Sequence, residues 1–376
     1  MPTIRDVAAR AGVSTSTVSN VLNNSDKVRA DLRTRVMKAI REISYHRDEM
    51  ARSLRTRRSN IVGMIIPDLT DPFFPTLVRG AQDALDRQGY TLIVGSSDND
   101  VEKERRYYGT FRGKRVDGLL IVLSLEHRAP NYLLRHNADN VPIVYVGRSH
   151  PELHGDCVML DDVGGSYKAV SHLLQSGHRR IGIITGPLSL LDARLRLQGY
   201  KLALQEHGIL AEESLIREGR YDIPSGHTGT KALLSLHPRP TALFSCNHQM
   251  TIGCMQAITE IGVSPQELSL ISFDDLDWFS LLRPSVSAIP QPAYELGATA
   301  AEVLIRRLTR QLTGPACLRI LGAELVMRDS TRFGPCEVSD RTAPSSPKGQ
   351  KGPPALPALK VEGRVVKKGV RIRSKR

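Results

Sequence analysis

Asp274-Asp275 directly follows the apolar run LSLISF, and a carboxylate pair in that position could share acid/base work. No partner nucleophile or metal set accompanies it in the sequence, so binding is the better reading. Cys246, His248 and Cys254 could be drawn as a metal cluster. The five cysteines show no CxxC spacing and no even framework, however, and read as reduced thiols. Gly164-Gly165 after Asp161-Asp162 could cradle a phosphate, but a turn between strand and helix explains the pair more simply. The sequence has no GxxxxGK[ST] loop, no GxGxxG, no HExxH and no GxSxG elbow. No catalytic residue, metal or cofactor is therefore expected. The remaining chemistry lies in Thr3 to Leu22, TIRDVAARAGVSTSTVSNVL, where Thr15, Ser16, Thr17, Ser19 and Asn20 crowd one short segment. Short polar side chains of this kind suit close approach to base edges and phosphates.

Those side chains need a helix to present them, and the flanking residues supply one. Thr3 can cap a first helix with Asp6 in a capping-box spacing, and Val7, Ala8 and Ala11 follow at helical spacing. Gly12 stands where a tight turn needs a residue without a Cβ, Val13 can plug the angle, and Ser14 can cap a second helix. In that second helix Val18 and Leu22, with Val21 beside them, face inward, opposite the polar set. A third helix near Ala30 carries Leu32, Val36, Ile40 and Ile43, with Arg29 as a poor cap. The first 60 residues hold 13 Lys/Arg against 6 Asp/Glu, which fits a phosphate backbone.

From Ile61 onward strands and helices alternate. IVGMII, TLIVG, VDGLLIVL, VPIVYVG, IGIITG, TALFS and LSLISF read as strands. Helical patterns run over 74–88, 101–112, 194–207, 251–261 and 294–310. Alternation of this kind means parallel sheets. About 270 residues are long for one doubly wound sheet, so two lobes fit better. Ligands of such bodies bind at the carboxyl ends of strands, between lobes.

DVAARAGVSTSTVSNVLN, TRVMKAI and ARSLRTRRS resemble the N-terminus of the Lac repressor/Gal repressor (LacI/GalR) family of bacterial transcription regulators. The resemblance continues in order through DPFFPTLVRGA, GYTLIVGSSD, VDGLLIV, GHRRIGIITGP, RPTAL, SLISFDD and LGATAAEVL, covering roughly residues 2 to 333. It implies a small all-α helix-turn-helix head on a two-lobed, periplasmic-binding-protein-like α/β body, with the helix over 294–310 returning to the first lobe. It implies boundaries at 1–46 for the head, 47–59 for a hinge, 60–333 for the effector-binding and dimerisation body, and 334–376 for a tail. In the hinge, Leu54 matches an apolar wedge that kinks the minor groove, while Arg52, Arg55, Arg57 and Arg58 would meet phosphates. Arg47-Asp48 stands where Pro-Asn is common. In the body, Phe73-Phe74 match the aromatics of an Asn-Pro-Phe-Phe motif in which Asp71 replaces Asn. Arg196, Tyr221, Asn247 and Asp274 match effector-binding positions, and His248 departs from the usual Asp. The implied function is a sequence-specific DNA-binding regulator, a repressor by expectation, whose operator affinity is set allosterically by a small molecule. A sugar or sugar derivative is the expected effector and a purine the alternative.

The net charge of +13 is unevenly placed. The last 36 residues, rich in Pro, Gly and Lys/Arg, hold 11 Lys/Arg and one Glu, leaving a mildly acidic body between basic ends. The tail has no heptads, so a homodimer is expected, and its composition reads as disordered. No run approaches the ~18 apolar residues of a membrane span and the start has no signal-like core, so a cytoplasmic, nucleoid-associated protein is expected. Two other readings remain: a sugar- or nucleotide-metabolising enzyme with a fused DNA-binding head, and a non-specific DNA binder driven by the tail.

Overall fold

The computed structural model describes residues 2–23, 28–45, 58–124, 130–135, 141–150 and 152–334. The hinge from 47 to 57 and the tail from 335 lie outside the described residues, so those expectations stand where the sequence left them.

Three helices form the head: α1 (Ile4–Ala11), α2 (Thr15–Asn23) and α3 (Ala30–Glu42). The Thr3 N–H and hydroxyl donate to Asp6 at 2.7 and 2.9 Å, closing the first turn of α1. Gly12 takes the left-handed conformation, φ 63°, that ends α1 and starts the turn. Arg35 of α3 donates to the Ala11 and Gly12 carbonyls at 2.6 and 3.2 Å, so the third helix clasps the turn between the other two. Val7, Val18 and Val36 are fully buried, one from each helix, with Ala8, Ala11, Val21 and Ala39 around them.

Among the described residues the body holds two all-parallel sheets. The first combines β1 (Ile61–Ile66), β2 (Thr91–Ser96), β3 (Gly118–Ile121), β4 (Ile143–Val146), β5 (Asp156–Leu160) and β11 (Leu318–Leu321) in the order β11-β5-β4-β3-β1-β2. The second combines β6 (Ile181–Thr185), β7 (Ile216–Glu218), β8 (Ala242–Ser245), β9 (Ser269–Phe273) and β10 (Ser287–Ile289) in the order β10-β9-β8-β6-β7. The central strands are continuous apolar runs because both faces are covered. On the first sheet α4 (Phe73–Asp86) and α11 (Ala293–Leu308) share one core, while Phe111 of α5 (Val101–Gly113) and Leu133 of the short α6 (Asn131–Leu134) line the other. On the second sheet pack α7 (Asp162–Gln175), α8 (Leu191–Glu206), α9 (Ile223–Leu234) and α10 (His248–Ile261).

The chain passes from the first sheet to the second after β5, returns after β10 to form α11 and β11, and crosses again to finish beside β9 and β10. The backbones of α4 and α11 nearly touch. A Cβ at Gly80 would lie 1.9 Å from the Tyr294 carbonyl oxygen, and one at Gly297 would lie 1.9 Å from that of Leu77. Arg307 of α11 grips Asp156 of β5 through two 2.7 Å bonds, and the same carboxylate accepts the Cys317 N–H at 2.8 Å just before β11.

Several expectations need correction. Gly164-Gly165 form neither a turn nor a phosphate nest. They lie in the first turn of α7, where Asp161 accepts the Gly164 N–H at 2.8 Å and Gly165 lets the helix rest on Ala323, Ile289 and Phe273. Asp274 and Asp275 do not act as a pair. Asp275 is held by Arg328 at 2.6 and 2.8 Å, while Asp274 faces His248 and Gln291. Helix α8 starts three residues earlier than its apolar pattern suggests and α10 starts at His248, because Asn247 caps it by accepting the Met250 N–H. Among the described residues no group of His, Cys, Asp and Glu is arranged to hold a metal ion.

Candidate functional site

Two surfaces gather the residues singled out by sequence. On the head, Ser14 accepts the Thr17 N–H at 3.1 Å and so starts α2. Burial of Val18 and Val21 turns the opposite face outward, and Thr15, Ser16 and Asn20 are exposed there, with Thr17 and Ser19 half-buried. Thr3, exposed beside this face in sequence order, spends its hydroxyl on Asp6, so its role in the head includes capping. The Ser14 hydroxyl also meets those of Ser16 and Thr17 at 2.7 and 2.9 Å, which holds the first turn of α2 in one arrangement. Arg52, Leu54 and Arg55 lie outside the described residues.

The second surface is a cleft between the carboxyl ends of the two sheets, lined by Asp71, Phe73, Phe74, Val122, Gly147, Arg148, Asp192, Arg196, Tyr221, Asn247, His248, Asp274 and Gln291. All six body residues expected from the sequence line it. Most of the lining follows a strand directly: Asp71 and the two phenylalanines β1, Arg148 β4, Tyr221 β7, Asn247 and His248 β8, Asp274 β9 and Gln291 β10. Asp192 and Arg196 come from one face of α8, four residues apart.

Arg196 is 5% exposed and fully engaged from behind. Its Nε donates to Asp162 Oδ1 at 2.8 Å, Nη1 donates to the Cys246 carbonyl, and its guanidinium carbon stands 3.8 Å from the centroid of the Phe273 ring. The fork is thereby held at one angle. Burial pushes the Asp162 carboxyl up to about 7, and Arg196 pulls against that shift. Tyr221 donates its hydroxyl to Asp192 Oδ2 at 2.8 Å, while Asp192 Oδ1 is buried with no hydrogen-bond partner among the described residues. Tyr221 and Asp274 have φ of 59° and 78°, a left-handed backbone that non-glycine residues adopt at a cost of about 1–3 kcal/mol. That two cleft residues carry it fits a site where side-chain aim outweighs local comfort. Asp274 sits below the usual carboxylate range although burial opposes this, because the His248 hydrogen bond, the His248 and Arg196 charges and the Gln291 amide all favour the ionised form. Phe73 and Phe74 meet edge to face at 5.1 Å. Phe74 is part of the first lobe's core, and half-buried Phe73 offers the more open ring. Asn247 spends its carbonyl on the α10 cap and leaves its amide 3.5 Å from the Tyr221 carbonyl, too far for a strong bond.

Sequence reasoning missed Arg148, Asp192 and Gln291 as cleft residues. The strand-end rule applied to VYVGR would have found Arg148. The i,i+4 spacing from Arg196 would have found Asp192. Gln291 follows a strand of three residues too short to read.

Residues 3–48 match the family described as bacterial regulatory proteins, lacI family, and residues 170–331 match the periplasmic binding protein-like domain. The ribose operon repressor of Haemophilus influenzae is 36% identical over 309 residues, spanning 82% of this chain and 92% of that protein. The transcriptional repressor CytR of Escherichia coli is 34% identical over 335 residues, 89% and 97% of the two chains. Among solved structures, the Lac repressor dimer bound to operator and an anti-inducer superposes with a TM-score of 0.78 at 29% identity, covering 88% of this chain and 99% of the other.

Proposed function

This chain belongs to the LacI family of bacterial regulatory proteins and is a DNA-binding transcriptional regulator, and from that premise we propose that it represses its target genes under control of a sugar-like effector bound in the cleft. The observation that carries the effector class is the cleft lining. Half-buried aromatic faces at Phe73 and Tyr221 stand among the carboxylates of Asp192 and Asp274, the guanidinium of Arg196 and the amides of Asn247 and Gln291. Rings suit the apolar face of a sugar, and carboxylates and amides suit its hydroxyls. Binding is favoured over catalysis because both oxygens of Asp274 are engaged and Arg196 is pinned from behind.

The DNA-reading residues are Thr3, Thr15, Ser16, Thr17, Ser19 and Asn20 of the head, with Arg52, Leu54 and Arg55 of the hinge. Asn20 is exposed on α2 and suits bidentate pairing with adenine. A homodimer places two heads on the half-sites of a near-palindrome. An apolar groove on the second lobe supports that assembly: it is lined by Ile252, Met255, Ile258, Val263, Leu282 and Pro284, with Ile261 and Leu281 exposed beside it, and a second copy of the same face is the occupant that fits. A cytoplasmic location follows from the same role. Effector binding changes operator affinity by ~5–150-fold, the ordinary range of such coupling.

Selection from randomised duplex DNA at ~150 mM salt, which damps non-specific phosphate attraction, tests the regulator. The protein enriches a palindrome with a flexible central step. Fluorescence anisotropy on that operator, with D-ribose, other pentoses and hexoses, nucleosides and purine bases added in turn, tests the effector. A shift with purine bases and none with sugars would overturn the sugar class.

A further inference from the structure

One contact spans the cleft without a role so far. His248 opens α10 in the second lobe, and Asp71 lies in the loop after β1 in the first. His248 Nδ1 stands 2.9 Å from Asp274 Oδ2, which also accepts the His248 backbone N–H at 3.2 Å. A carboxylate there fixes Nδ1 as the protonated nitrogen. Nε2 then points across the cleft to Asp71 Oδ2 at 3.4 Å, within ion-pair range but without a hydrogen-bond partner among the described residues. The imidazole is 3% exposed and the Asp71 side chain 16%.

This arrangement has two states of opposite sign. In the neutral ring Nε2 carries a lone pair aimed at a carboxylate, and the lobes repel at this point. In the protonated ring Nε2 becomes a donor aimed at the same carboxylate, and they attract. We propose that Asp71 and His248 form a charge pair between the lobes that positions them for effector binding, holding the cleft closed while both groups are ionised. The sequence supports the pairing. The resembled family commonly has Asn at position 71 and Asp at 248, so here the acidic group has changed sides and an imidazole faces it. Both departures fall on the two ends of one contact.

The charged groups facing His248 agree with this. Asp274 and Asp71 favour the imidazolium; Arg196 and burial oppose it, and the balance lies above the ordinary value near 6.5. Tyr221, Asp192 and Arg148 line the same cleft. Burial raises the Asp71 carboxyl, so the pair operates between two limits. A raised histidine pKa means stabilisation that is complete below the ordinary value and lost as pH rises through the raised one. A raised aspartate pKa means the lower limit lies above the ordinary carboxylate range.

The effect on affinity rests on the effector-cleft reading, but the pair itself is tested without effector. Full-length protein carrying 13C-labelled histidine is titrated by NMR, with His248 identified by the resonance missing in His248→Gln. We expect His248 to titrate above 6.5 and to fall by about one pH unit in Asp71→Asn, the lower end for an opposite charge at close range. The parent should also lose thermal stability as pH rises above about 6.5, and Asp71→Asn/His248→Asp, with the family's usual residues, should fold and show a shallower loss, with Asp162 still titrating. A His248 pKa at its ordinary value, or one unmoved in Asp71→Asn, would overturn the proposal. So would a double variant with the parent's pH profile. None of these outcomes bears on which effector binds.

Discussion

Removing the Arg196 guanidinium should cost stability before it costs anything else. The Arg196–Asp162 pair is buried on both sides, with side chains 6% and 1% exposed and 2.8 Å apart. An Arg196→Ala protein leaves Asp162 without its cation and the Cys246 carbonyl without its donor. Breaking a buried pair from one side costs about 3–5 kcal/mol. For a body of this size that is a melting-temperature drop of roughly 6–20 °C. The pH dependence has a definite sign. Asp162 is already pushed up to about 7 with Arg196 present, and its loss removes the pull that opposed burial. A carboxyl whose folded-state pKa is raised binds more protons folded than unfolded, so its contribution falls as pH rises. The deficit should therefore be larger at pH 8 than at pH 6. Asp162→Asn in the Arg196→Ala background should recover part of the loss by removing the stranded charge. Chemical denaturation of the four proteins at both pH values measures all of this as a double-mutant cycle. A single variant within 1 kcal/mol of the parent at pH 8, with no relief from Asp162→Asn, would refute the view that Asp162 holds the arginine in place. At pH 6, where the variant is better folded, effector affinity should fall by about 10–150-fold, the equivalent of one or more charge-assisted hydrogen bonds worth about 1.5–3 kcal/mol. Unchanged affinity would remove Arg196 from the cleft's binding set.

Other perturbations test other parts. Asn20→Ala should lose about 1–3 kcal/mol of discrimination at one base position while binding non-specific DNA as before, read by anisotropy on the selected operator and its single-base variants. Leu54→Ala should bind operator more weakly and bend it less; equal bending by fluorescence energy transfer across the site would dismiss the wedge. Gly80→Ala sets a methyl 1.9 Å from the Tyr294 carbonyl, and a backbone atom cannot swing aside. Its cost should exceed the ~1–3 kcal/mol of ordinary overpacking, and circular-dichroism melting near the parental temperature would show that α4 and α11 are free to part.

What could be read in advance follows from how each residue carries its information. The head was legible because its signals are local: Thr3 with Asp6, Gly12 in its turn, and Val7, Val18 and Val36 as inward positions all sit within a few turns of one another. The central strands were legible as apolar runs, since parallel strands buried on both faces need nothing else. Strand β7 was not, because IRE is a half-exposed edge of three residues. Helix α9 was hidden by the Pro, Gly and Thr of IPSGHTGTKALL, and it is set by Asp222 accepting the Ser225 N–H and by packing on α10. In the cleft, matching to a family motif found Phe73, Phe74, Arg196, Tyr221, Asn247 and Asp274. It missed Arg148, Asp192 and Gln291, and it could not show that Asp71 and His248 meet. That contact joins residues 177 positions apart in the chain, and no local pattern encodes it.

The first lobe is not finished when its first five strands have been made. Its outermost strand and the helix that shares its core with α4 come from residues 293–321, tied in by Arg307 on Asp156 and by the Gly80 and Gly297 contacts. During synthesis the ribosome delivers the greater part of the second lobe first. A chain stopped before α11 therefore exposes the apolar side of α4 and an unpaired edge at β5, both of which invite aggregation. Residues 322–333 then complete the second lobe beside β9 and β10, so each lobe waits for chain that follows the main strands of the other. The cleft between them, and any response to an effector, comes into being only once residues 293–333 have joined the two lobes.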